Sequence, residues 1–75
     1  MSRIERLSHL RALTTSGQAE AIRKAAHLRR TDVASAVGVD HTTIGRWERG
    51  ERLPTGEAAL KYAALLDRLA KATAS

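Results

Sequence analysis

One predicted helix of this chain carries polar side chains that could hydrogen-bond to the edges of nucleic-acid bases. Ile44 and Trp47 lie at helical spacing and are predicted to face a protein core. The residues left on the outer side of this helix are His41, Thr42, Gly45 and Arg46. An arginine can donate two hydrogen bonds to guanine O6 and N7, and a threonine can contact a thymine methyl or a base edge. This set of residues therefore favours base contacts in the major groove, with a merely solvated helix face as the alternative.

Metal and catalytic chemistry are not expected from this composition. The chain has no cysteine, and its three histidines, His9, His27 and His41, share no metal-ligand spacing. Its acidic residues are scattered, without paired carboxylates or an activated serine–histidine set. We therefore expect neither an enzyme nor a bound metal, cofactor or small-molecule ligand.

The overall charge indicates a polyanionic partner. The formal net charge is +5 and the isoelectric point is near 10.8, which makes nucleic acid the leading candidate. Arginines supply most of the positive charge and suit bidentate contacts to phosphate or guanine, although a GC-rich genome would also enrich them. No apolar run is long enough for a membrane span or a signal peptide, so we expect a cytoplasmic, nucleoid-associated protein.

Helical periodicity and turn residues predict a single all-α domain of five helices over residues 1–75. The predicted segments include an additional N-terminal helix at 1–14, a helix-turn-helix pair at 30–49 and a C-terminal helix at 56–71. Thr15 and Gln18 fit a capping box for the second helix, which is expected to end near His27. Residues 72–75 are expected to fray. The initial methionine and the tag-free C-terminus favour a whole chain.

The turn inside the helix-turn-helix pair is predicted from three residues. Gly38 stands where a helix end needs a left-handed residue, which glycine adopts without steric cost. Asp40 can then accept hydrogen bonds from the free N–H groups that begin the next helix. Ala34 is small where the two helices must cross closely. Such a pair usually places its second helix in a DNA major groove.

A longer pattern extends this motif across most of the chain. Its pieces are Ile22-Arg23, Val33-Ala34, Val37-Gly38-Val39, the octapeptide TIGRWERG at 43–50, and Pro54. From about Ile22 to Leu66 the chain resembles the Cro/C1-type (XRE-like) helix-turn-helix family of phage repressors and bacterial regulators. The resemblance implies a compact lambda-repressor-like DNA-binding domain, which here has five helices, the N-terminal one being an extra helix outside the matching part.

The resemblance also implies roles for individual residues. The base-reading positions of the family correspond to His41, Thr42 and Arg46, with Thr43 and Gly45 close by. The expected phosphate-binding residues are Arg29, Arg30, Thr31, Arg49 and Arg52. Arg30 stands where the family commonly has a glutamine, and Arg29 is a poor N-cap, so the first helix of the pair begins at Arg30 or at Thr31. Arg23 and Glu48 are expected to form a structural ion pair that orients the reading helix.

The last predicted helix is apolar on almost every side and needs cover on a second face. We expect the N-terminal stripe of Ile4, Leu7 and Leu10 to supply that cover, either within the chain or across a dimer. Trp47 and Tyr62 are expected in the core, with the tyrosine hydroxyl at its edge.

These features together predict a sequence-specific transcriptional regulator of double-stranded DNA. The most specific form of the prediction is a small phage or bacterial Cro-like repressor that binds a palindromic operator as a homodimer and occludes a promoter. The alternatives are an antitoxin, a recombination-directionality factor, or a protein-interaction adaptor built on the same scaffold.

Overall fold

A computed structural model describes residues 2–74 and folds them into five α-helices, with no strand in that range. The helices are α1 (Arg3–Thr15), α2 (Gln18–Ala25), α3 (Arg30–Val37), α4 (His41–Glu48) and α5 (Gly56–Ala74). The all-α, five-helix expectation is therefore confirmed. Helix α5 extends to Ala74, so residues 72–74, which were expected to fray, are helical. Met1 and Ser75 lie outside the described range. None of the helices in residues 2–74 is both long enough and apolar enough to cross a membrane.

The capping box predicted at Thr15 and Gln18 is wrong. Thr15 is the last residue of α1, and its hydroxyl donates to the backbone oxygen of Arg11 at 2.9 Å. Helix α2 instead begins after Gly17, whose positive φ of 84° makes the turn between the two helices without a side-chain cap. A capping box does form at the start of α1, where Ser2 and Glu5 each accept a hydrogen bond from the backbone N–H of the other.

Helix α3 begins at Arg30, the earlier of the two predicted positions. Arg29 is the N-cap residue and has an extended backbone. The carboxylate of Asp32 accepts a hydrogen bond from the backbone N–H of Arg29 at 2.8 Å. Because Asp32 supplies this acceptor, the helix can start here although Arg29 cannot cap it with its own side chain.

The core lies where α5 packs against α1, α2 and α3, with α4 adding its apolar side. The buried apolar residues are Leu10, Ala19, Val33, Ala34, Val37, Ile44, Trp47, Ala59, Tyr62 and Leu66. The rings of Trp47 and Tyr62 lie 5.0 Å apart between centroids, so the expectation of both in the core is confirmed. The tyrosine hydroxyl is not at the edge, however: Tyr62 is fully buried, and its hydroxyl has no hydrogen-bond partner within residues 2–74. This burial raises the pKa of the Tyr62 phenol.

Helix α1 covers α5 within the chain, although not with the whole predicted stripe. Leu10 is fully buried and Leu7 is half-buried against the core, whereas Ile4 remains 79% exposed. Successive residues of an α-helix are separated by about 100° around the axis, so Ile4, which precedes Leu10 by six residues, lies about 120° around the axis from it. The cover expected from Ile4 within the chain is therefore wrong, and the covering face of α1 is shorter than its sequence pattern.

Candidate nucleic-acid interface

The turn between α3 and α4 is fixed by local hydrogen bonds. Gly38 ends α3 with a φ of 87°, and the N–H groups of Gly38 and Val39 both donate to the backbone oxygen of Ala34, at 2.8 and 3.1 Å. Asp40 caps α4 by accepting from the backbone N–H of Thr43 at 2.8 Å, which holds the pKa of Asp40 below its usual value. These contacts set the direction of α4 relative to α3.

Helix α4 presents its polar residues on the side opposite the core. Ile44 and Trp47 are buried, whereas three of the predicted base-reading residues, His41, Thr42 and Arg46, are exposed. Thr43 is half-buried beside them, and its backbone N–H is taken by the cap. The structure thus brings most of the predicted reading residues to one accessible helix face.

Gly45 differs from its sequence expectation, which placed it on the outer side of the helix with His41, Thr42 and Arg46. It is buried because the side chain of Arg49 lies over it. A Cβ atom built on Gly45 would lie 3.0 Å from Nη1 of Arg49. The guanidinium of Arg49 therefore occupies the space next to Gly45 that a side chain at position 45 would fill. Nε of Arg49 pairs with the carboxylate of Glu51.

The start of α3 and the end of α4, which carry the predicted phosphate-binding residues, are joined by an ion pair. Nε of Arg30, at the start of α3, donates to Glu48, at the end of α4, at 3.0 Å. Arg29 and the polar Thr31 flank Arg30 in the sequence, and Arg49 and Arg52 follow Glu48. We refer to the four arginines together with Thr31 as the basic cluster.

Several of these arginines already have acidic neighbours. Arg29 pairs with Asp32 at 3.2 Å but remains largely exposed, and Arg30 keeps 41% of its side chain exposed beside Glu48. Arg52 is exposed in the loop after α4. Their guanidinium groups are therefore accessible to an anion, although some of their charge is balanced within the protein.

A buried ion pair joins α2 to the end of α4. Arg23 donates from Nε to Glu48 at 2.6 Å and from Nη2 to the same carboxylate at 3.1 Å. The side chains are 9% and 0% exposed, respectively. Arg23 also donates to the backbone oxygen of Leu28 at 3.0 Å, and its hydrogen bond to Glu48 raises the pKa of the guanidinium. The pair ties the end of α4 to α2; an ion pair between these two residues was expected from the family resemblance.

Sequence reasoning missed that Glu48 is shared by two arginines. Arg30 was expected only to bind phosphate, yet it is the third member of a cluster that ties α2, α3 and α4 to one carboxylate. Its second carboxylate neighbour is Glu20, 3.8 Å away. The only signal in the sequence was the arginine at a position where the related family commonly has a glutamine.

Within residues 2–74, no group of three or more histidine and acidic side chains stands close enough together to hold a metal ion. The arrangement is instead a polar helix face next to a basic cluster, which can donate hydrogen bonds and neutralise negative charge.

A family model described as helix-turn-helix matches residues 20–70, a range that includes α3, α4 and most of α2 and α5 and leaves out α1. No curated protein and no solved structure matches the chain.

Proposed function

Because this chain belongs to the Cro/C1-type helix-turn-helix family of DNA-binding regulators, we propose that it is a sequence-specific transcriptional repressor of the Cro-like kind found in phages and bacteria. The observation that carries this proposal is the exposed polar face of α4 beside a basic cluster. The face offers donors to base edges, and the cluster offers positive charge to the DNA backbone.

Arg46 is the principal base-reading residue in this proposal. It is exposed on α4 opposite the buried Ile44 and Trp47, and its guanidinium can donate two hydrogen bonds to one guanine. Thr42 contacts a thymine methyl or a base edge, and His41 contributes a donor or an acceptor. Thr43 and Gly45 stand next to these residues and shape the contact surface.

Phosphate binding is assigned to the basic cluster where α3 begins and α4 ends. Its members are the arginines Arg29, Arg30, Arg49 and Arg52, together with the hydroxyl of Thr31. Such contacts position a protein on the duplex without reading sequence, and they make binding strongly dependent on salt.

The proposed mechanism is occlusion of a promoter. Two copies of the chain would place their α4 helices in successive major grooves, ~34 Å apart, on a palindromic operator. The protein would then act as a homodimer at least on DNA, in the cytoplasm and on the nucleoid. Nothing in this mechanism requires catalysis, a cofactor or a small-molecule ligand.

The proposal is tested by selecting binding sites from random duplex DNA and measuring affinities by fluorescence anisotropy with excess competitor. DNA from upstream of the gene for this protein is included as a candidate operator. Arg46→Ala should weaken binding to the selected site by ~1–3 kcal/mol. Arg68→Ala is the matched control, since it removes the same charge from an exposed position on α5.

Three results would contradict the proposal. Equal losses of affinity for the selected site in Arg46→Ala and Arg68→Ala would mean that α4 does not read bases. Binding that depends steeply on salt but not on sequence would leave a basic domain that holds phosphates. A protein that does not bind DNA at moderate salt would favour an interaction adaptor instead.

A further inference from the structure

The reading face of α4 has a gap in its side chains, and an arginine from the next turn fills it. His41, Gly45 and Arg49 lie four residues apart and therefore form one row along α4 and its C-cap. Gly45 is the middle member of the row and is buried although its neighbours in the row are exposed. The three atoms nearest to where its Cβ would be, apart from its chain neighbours and the helix backbone, belong to the Arg49 guanidinium: Nη1, Cζ and Nη2 lie 3.0, 3.7 and 3.7 Å away.

The absence of a side chain at position 45 allows this arrangement. Side chains on a helix lean toward the N-terminus, so that of Arg49 naturally lies over the turn that contains Gly45. A Cβ only 3.0 Å from Nη1 would be closer than ordinary contact, so a side chain at position 45 would shift the guanidinium out of its present position. Because Gly45 has no side chain, it leaves room on the reading face for the guanidinium of Arg49. We call this position of Arg49 its seat on Gly45.

The contact with Glu51 also favours an oriented guanidinium. Glu51 pairs with Nε of Arg49, while the terminal nitrogens lie over Gly45. The neighbouring carboxylate also cancels part of the positive charge that would attract a phosphate. A bidentate contact to guanine requires a fixed orientation of the guanidinium plane, and a carboxylate paired with one edge of the guanidinium helps to fix that orientation.

We propose that Arg49, seated on Gly45, reads a base pair in the major groove rather than holding a phosphate. This inference rests on the proposed function and refines its account of the site. The reading set then contains two arginines, Arg46 and Arg49, and each half-site should contain two positions at which guanine is preferred. Gly45 acts as a positioning residue for the second of these contacts.

The test uses the full chain and the site-selection experiment described above, applied to Arg49→Ala, Gly45→Ala and Arg52→Ala. Arg49→Ala should abolish the preference for guanine at one base pair, where the wild type discriminates by ~5- to 150-fold, and leave the other positions unchanged. Gly45→Ala keeps the full charge of the protein and should reduce the preference at that same base pair. Arg52→Ala is the charge-matched control and should lower affinity for all sequences alike.

The outcomes separate this inference from the function on which it rests. If Arg49→Ala weakens all sequences equally and lowers the salt slope by about one, as Arg52→Ala should, Arg49 holds a phosphate and the inference is wrong while the proposed function stands. If Gly45→Ala keeps the preference that Arg49→Ala loses, the seat on Gly45 is not needed for reading. A wild-type protein that enriches no motif refutes the proposed function, and the inference with it. Far-UV circular dichroism of each variant checks that the helices are intact.

Discussion

Replacing Glu48 by glutamine tests whether one buried carboxylate holds the helix pair to the rest of the domain. The side chain of Glu48 is 0% exposed and accepts hydrogen bonds from Arg23 and Arg30. Glutamine keeps the shape but leaves the guanidinium of Arg23, itself only 9% exposed, without a counter-charge. We expect Glu48→Gln to lower the free energy of unfolding by ~3–5 kcal/mol. A 75-residue domain has a total stability of only about 4–11 kcal/mol, so this loss is large.

Matched substitutions separate the contributions of the two arginines. Arg23→Met leaves Glu48 with the hydrogen bond from Nε of Arg30, 3.0 Å long, and should therefore cost less than Glu48→Gln. Arg30→Met removes a partner whose side chain is 41% exposed, and it should cost about 1 kcal/mol or less. The double variant Arg23→Met/Glu48→Leu removes both buried charges and should recover most of the stability that Glu48→Gln loses.

The assay is equilibrium unfolding in urea, followed by far-UV circular dichroism. The slope of the unfolding free energy against urea concentration is compared between variants, because a shift of the unfolding midpoint reports a change in stability alone only when this slope is unchanged. A Glu48→Gln variant within ~1 kcal/mol of the wild type would show that the ion pair is not a buried, charge-balanced unit. A double variant less stable than Glu48→Gln would show that the loss comes from packing rather than from the unbalanced charge.

Three further comparisons test packing, backbone and capping. Leu10→Ala should lower the free energy of unfolding by ~2–5 kcal/mol, whereas Ile4→Ala should change it by no more than ~0.5 kcal/mol; equal effects in urea unfolding would contradict the packing of α1. Gly38→Ala should cost ~1–2 kcal/mol because its φ is 87°, while Gly45→Ala, inside α4, should gain ~0.5–1 kcal/mol; thermal unfolding that ranks them in the opposite order would refute this reasoning. Asp40→Ala should lower the melting temperature at neutral pH. The pKa of Asp40 is lowered by the N–H of Thr43, so its cap stabilises above the ordinary value of 3.8 and is lost as the pH falls through the lower folded pKa. Asp40→Asn should lack this acid dependence. A difference in melting temperature between Asp40→Asn and the wild type that stays the same at all pH values would contradict this explanation of the cap.

The helix-turn-helix could be predicted from the sequence because its determinants are local. Gly38 supplies the left-handed turn and Asp40 the following cap, and both act on neighbours within four residues. The same locality misled the prediction at Thr15, where a capping pattern was present but Gly17 made the turn instead. Short-range patterns therefore gave the correct elements, with errors where two local signals competed.

The contacts that define the candidate interface were harder to predict because they depend on side-chain positions between turns and between helices. Glu48 meets Arg30 across 18 residues of sequence, and no periodic pattern marks that contact. The covering of Gly45 by Arg49 depends on the side-chain conformation of a long, flexible residue. The sequence indicated which residues are polar and exposed, but not which of them are already held by others.

The position of α5 in the core has a consequence for the order of events during synthesis. It packs on α1, α2 and α3, and its Tyr62 lies against Trp47 of α4. On the ribosome α1 to α4 emerge before α5, so the apolar side chains that pack against α5 lack that cover until α5 follows. Stable folding must then wait until α5 has left the exit tunnel, and the nascent chain should stay sensitive to protease up to that point.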